Sequence, residues 1–179
     1  MHFPGDSTWQ VSCRSGNTFA LYTRDALGIS TPIADSIPRL TPPVPRMRDA
    51  YVPETFGAAW DRWWTQSYDH GGGGRPPVGL PQQMRAAYAQ WSPNQASPTR
   101  SGARDDARAG FQVVLEEIVD QLTGELGHPP VFDVQLVQIP VEGQFWRRVD
   151  KRTALVSDEL QASRNVLAPL ESVLRELSQ

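Results

Sequence analysis

Phe111-Gln-Val-Val-Leu-Glu-Glu-Ile-Val-Asp-Gln-Leu-Thr-Gly-Glu-Leu126, followed by Gly127-His-Pro-Pro-Val-Phe132-Asp-Val-Gln-Leu-Val-Gln-Ile139, decides the fold class. Within it the apolar period changes from helical to extended. Ala107, Phe111, Val114, Leu115, Ile118, Val119, Leu122 and Leu126 form one helical stripe, with Asp105 and Asp106 near its positive end. Gly127 and Pro129 then stop the helix. Phe132, Val134 and Leu136 alternate with Asp133, Gln135 and Val137, which predicts a strand over 131–139. A long amphipathic helix running into a half-buried strand predicts an α+β protein.

Towards the C-terminus, Pro140-Val-Glu-Gly143 reads as a turn. Phe145–Val149 and Thr153–Val156 read as two further strands, which would complete a β-meander. Ser157, Asp158 and Glu159 open a last helix along which Leu160, Leu167 and Leu174 recur every seven residues. Pro169 must kink or split that helix near Val166, because it lacks an N–H and clashes one turn back.

Towards the N-terminus, residues 92–102 read as a loop, with Pro93 and Pro98 among small polar residues. Pro81 opens a helix carrying Met84, Ala87, Tyr88 and Trp91 at helical spacing. Residues 70–80, from His70 through Gly71–Gly74 to Leu80, form a second flexible loop. Phe56, Trp60, Trp63 and Ser67, with Trp64 and Tyr68 beside them, predict a helix over 54–69. Six prolines between Thr31 and Pro53 exclude a long helix or central strand and predict an extended, polyproline-like strap over 31–53. Thr8–Cys13 and Thr18–Thr23, rich in β-branched and aromatic residues and separated by Ser15-Gly-Asn17, predict a hairpin. The expectation is one α+β domain over 1–179. It has a small, mainly antiparallel sheet, made of an N-terminal hairpin plus a C-terminal meander, packed with about four helices.

The 179 residues, 39% of them hydrophobic, suffice for a core without disulfides or metal. The single cysteine, Cys13, cannot form an internal disulfide. The first residues lack a basic and an apolar region, and nothing approaches the length of a membrane span, so a cytoplasmic location without a membrane partner is expected. Net charge is −3, and neither half has the basic excess of a dedicated nucleic-acid binder. Of 17 basic residues only Lys151 is a lysine, a skew that fits a high-GC bacterial or phage genome.

Two fragments bear on catalysis. Gly5-Asp-Ser7, with Glu125-Leu-Gly-His128, resembles the Gly-Asp-Ser and Asp-x-x-His blocks of the SGNH hydrolases. That family's nucleophile follows a buried parallel strand, and here only four residues precede Gly5. A serine without a rigid base and oxyanion donors is inert. His70-Gly-Gly-Gly73 resembles the oxyanion loop of α/β-hydrolases, but the chain has no Gly-x-Ser-x-Gly elbow. His2, His70 and His128 lie far apart in sequence, so neither a metal nor a cofactor is predicted.

The remaining candidates are surfaces for protein binding. Arg39, Pro42 and Pro45 fit the Arg-x-x-Pro-x-x-Pro pattern, in which a polyproline segment loses little entropy on docking. Trp146, Arg147 and Arg148 form the densest aromatic-basic patch; pairing of these arginines with acids of the flanking helices is the competing expectation. Trp64 and Tyr68 fall towards the edge of their helix stripe and are expected to stay partly exposed. The sequence is therefore read as a non-enzymatic protein-interaction module. Its partner would be another protein or a second copy, and nucleic acid is not favoured. The alternative is an enzyme or small-ligand protein whose site assembles in three dimensions, with Asp133, Glu142, Asp150 and His128 as its polar groups.

Overall fold

The computed structural model describes residues 2–4, 9–69, 74–92 and 98–178. The fragments Gly5–Ser7 and His70–Gly73 lie outside them. Contacts gather the chain into two compact units. Unit 1 comprises Met1–Ser15, Ser101–Ile139 and Gly143–Gln179; unit 2 comprises Gly16–Arg100 and Pro140–Glu142.

Unit 1 is built on a five-stranded sheet of β1 (His2–Pro4), β2 (Trp9–Ser15), β3 (Phe132–Ile139), β4 (Trp146–Arg148) and β5 (Thr153–Ser157), in spatial order β1-β2-β3-β5-β4. The α+β class holds, but the mainly antiparallel sheet does not. The central strands β2, β3 and β5 are parallel, with Val11 beside Val134 and Val137 beside Leu155. Antiparallel pairing is confined to the two edges, β1 on β2 and β4 on β5. A meander is ruled out because β5, not β4, lies beside β3. The physical reason is burial: all five residues of β5 are buried, as a central parallel strand requires and a half-exposed antiparallel one does not.

Parallel neighbours need a crossover, and α5 (Pro98–Leu126) precedes β3 as that element. It starts inside the expected loop 92–102. Pro98 holds the first helical position, where a missing N–H costs nothing. Phe111, Leu115, Ile118 and Leu122 pack in one cluster with Val11, Val134, Leu136 and Val156 of the sheet. Ile118 is 2% exposed, so Ile118→Ala should cost about 2–5 kcal/mol. An unchanged urea midpoint would place the core elsewhere.

The last helix is divided as Pro169 requires. α6 (Asp158–Gln161) is capped by Ser157, whose Oγ accepts from the Leu160 N–H at 3.2 Å. One 3-10 turn (Arg164–Val166) leads into α7 (Leu167–Leu177), placing Pro169 in its first turn. Leu170, Val173 and Leu174 join the core. On the outer face Arg175 pairs with Glu171 and with Glu125 of α5. The hydrogen bonds from Arg175 and from Gln121 hold the Glu125 carboxyl at about 2, below the ordinary glutamate range. Its pairing is therefore complete above that ordinary range and is lost as pH falls towards about 2. Arg175→Ala should move the Glu125 titration up towards the ordinary carboxylate range by NMR, and a curve that does not move would assign the effect to Gln121 alone.

Unit 2 carries α1 (Thr18–Leu27), α2 (Pro32–Asp35), α3 (Phe56–Asp69) and α4 (Met84–Trp91). That makes seven α-helices among the described residues, against about four expected. The expected strand at Thr18–Thr23 is helix α1 instead. Asn17 caps it by accepting from the Ala20 N–H at 3.0 Å, and Gly28 ends it in the left-handed region at φ 69°. The expected hairpin of Thr8–Cys13 with Thr18–Thr23 is therefore not formed, and β2 has β1 as its antiparallel neighbour. Trp60, Trp63 and Trp64 of α3 are all buried; the Trp60 indole donates to the Ala20 carbonyl at 2.7 Å, joining α3 to α1. Of the strap expected over 31–53, residues 32–35 are helix α2 instead; residues 38–50 contain no helix and form the strap proper, with Leu40 bridged to Val141.

Candidate interaction surface

The strap is fixed by charges buried in α1. Arg24 is 1% exposed and Asp25 is 5% exposed. The Arg24 guanidinium donates to the carbonyls of Ala34 at 3.1 Å, Ile37 at 2.7 Å and Pro38 at 2.7 Å, and its Nε donates to Asp25 at 2.7 Å. Asp25 also accepts from Arg39 at 2.9 Å and from the Leu40 backbone N–H at 2.8 Å. One cation thus caps three carbonyls in and just after α2, and one anion holds the first residues of the strap. A buried charge is tolerable only when its donors or acceptors are filled in this way.

Farther along, the Arg46 guanidinium donates to the Asp25 carbonyl at 2.9 Å, and the Met47 N–H donates to the Ala26 carbonyl at 2.8 Å. Arg46 lies over Gly28. A Cβ there would stand 1.9 Å from the guanidinium, the movable end of a long side chain, and it is the positive φ of 69° that favours glycine. Between these anchors run Pro42, Pro43, Val44 and Pro45, of which only Val44 has an N–H to donate. Pro43, Pro45, Arg46 and Arg48 are exposed, and Tyr51 is 84% exposed. An open cleft of about 290 Å³ adjoins the strap, bordered by Asp25, Arg39, Pro43, Arg46 and Glu142.

The sequence candidates separate on this structure. Arg39, Pro42 and Pro45 do share the strap: Arg39 keeps its head half-exposed while paired to Asp25, Pro42 is half-buried, and Pro45 is exposed. Trp64 is corrected. It is 1% exposed and stacks on Trp60 at 5.9 Å with the rings nearly parallel, so it is core and not surface. Tyr68 remains half-buried, edge-on to Trp64 at 5.9 Å.

Strand alternation splits the Trp146, Arg147 and Arg148 patch. Trp146 pairs with Val156 and packs against the core of unit 1, whereas Arg147 pairs with Leu155 on the opposite face. Arg148 is tied to Glu176 of α7, the pairing that the competing expectation named. The Glu176 hydrogen bond raises the Arg148 pKa and lowers that of Glu176.

Of the polar groups of the alternative reading, Asp150 has a local role. Asp150 accepts from the N–H groups of Arg152 at 2.7 Å and Thr153 at 2.8 Å, closing the β4–β5 turn. His128 and Asp133 are exposed in unit 1, and Glu142 is exposed in unit 2. Among the described residues no group of three histidine, cysteine or acidic side chains is placed to hold a metal ion, and no helix is long and apolar enough to cross a membrane.

Sequence reasoning missed Arg24, Asp25 and Arg46. The available signal was an adjacent pair of opposite charges, Arg24-Asp25, inside the otherwise mainly apolar run Phe19–Ile29. No family model matches this chain, and neither a curated protein nor a solved structure matches it.

Proposed function

We propose that the chain is a non-enzymatic protein-interaction module that offers the strap over residues 39–51 to a protein partner. The observation that carries this reading is the buried Arg24–Asp25 pair, a costly anchor spent on a segment with almost no backbone ladder of its own. Apolar side chains would hold a purely structural loop at lower desolvation cost. Holding Pro43, Pro45 and Arg46 in one conformation removes the ordering entropy that a free proline segment would lose on docking. Proline surfaces of this kind are taken up by aromatic-lined grooves, with an arginine setting direction.

A photo-cross-linking amino acid placed at Pro45, and separately at Glu159 of unit 1, tests the reading in cells of the native host. A discrete protein adduct from position 45 and none from 159 is the expected result. Adducts that do not depend on position, or none from position 45, would remove the strap from the binding surface.

A further inference from the structure

Unit 2 carries a second feature, outside the strap. An open groove of about 440 Å³ runs over residues 75–85, with Pro76, Pro77, Leu80 and Pro81 in its lining. Arg75 and Arg85 also line it, and no carboxylate does. Both arginines are exposed, and among the described residues neither forms an ion pair. Arg85 sits 5.5 Å from the centre of the Phe19 ring, a contact that holds the side chain without neutralising its charge. By contrast Arg39, Arg148, Arg164 and Arg175 each have an acidic partner.

We infer that this groove takes an extended acidic segment of a partner protein, its apolar side chains on the proline and leucine surface and its carboxylates on Arg75 and Arg85. Charge complementarity selects the occupant: two uncompensated guanidiniums favour carboxylates, which they bind through paired N–H donors. The three prolines fix the lining before binding, so little ordering cost is added. A nucleic acid fits less well. The groove offers no aromatic ring on which a base can stack, and the chain carries a net charge of −3.

The inference goes beyond the strap, and Arg75 takes no part in anchoring it, so a failure here leaves the strap reading standing. The test is fluorescence anisotropy with labelled decapeptides in which glutamate alternates with leucine, or lysine with leucine, and with an oligothymidine of equal charge. Saturable binding of the glutamate peptide alone is expected, weakened about tenfold by Arg75→Glu and further by adding Arg85→Glu. It should also weaken between about 0.05 and 0.5 M salt. Arg75→Glu keeps the Arg85–Phe19 contact, so its circular dichroism should match the parent and the loss will report the groove. No saturable binding, or equal binding by the charge-reversed variant, would overturn the inference. So would equal binding of the oligothymidine, or a concentration-dependent dimer in sedimentation that the same substitutions abolish.

Discussion

Asp25→Ala is expected to cost about 3–5 kcal/mol of folding stability, measured as a shift in the urea midpoint. The substitution removes the acceptor for Arg24, Arg39 and the Leu40 N–H together. Arg24 would remain as a cation only 1% exposed, with its carbonyl contacts but no counter-charge. Most of the loss is that uncompensated charge and not the value of the pair itself. Replacing both residues, Arg24→Met with Asp25→Leu, should therefore destabilise less than Asp25→Ala alone, despite changing more atoms. If the single variant loses under about 1 kcal/mol, Arg24 and Asp25 are not the anchor. If the double variant is the worse, the three carbonyls capped by Arg24 dominate.

Trp64→Ala should cost about 3–5 kcal/mol, since it empties a fully buried aromatic site stacked on Trp60. Tyr68→Ala, removing a half-buried ring, should cost clearly less. The order of the two is the informative part. The edge position of both residues on the α3 stripe predicts similar, small losses, whereas the packing separates them. A Trp64 variant as stable as the parent would restore it to the surface.

The contrast shows what a helix stripe leaves undetermined. Phe56, Trp60 and Trp63 face a core because they lie at the middle of the apolar arc, and they are buried. Trp64 lies only 100° from Trp63, and whether that angle meets solvent depends on the neighbours, which periodicity does not specify. The same limit applies to α1. Thr18, Phe19, Tyr22 and Thr23 are good strand formers, yet Asn17 and Gly28 bracket the segment with both helix-ending signals. Here the caps, not the propensities, agreed with the final state. Helices α3, α4 and most of α5, the strand β3 and the break before Pro169 were legible because each rests on local period or punctuation. The parallel order of β2, β3 and β5 was not, since β2 and β3 are brought together across most of the chain. The prolines of 31–53 marked a segment without a long helix, but not the short helix α2 inside it. The anchor of the strap was not legible, because burial of Arg24 and Asp25 depends on carbonyls ten or more residues away.

The placement of most of unit 2 between β2 and α5 in the sequence also sets a timetable for synthesis. At about 5–20 residues per second, on the order of ten seconds pass between the emergence of β2 and that of β3, its parallel partner. Throughout that interval Val11 and Cys13 lack β3, and α5, the other element that covers them, is delivered only towards its end. Residues 16–100 of unit 2 are all delivered within the same interval, and small domains fold in microseconds to seconds. The nascent chain thus holds an apolar strand without its parallel partner while its middle section has time to fold. Slower translation over 16–131 lengthens the period in which β2 can pair with the wrong chain.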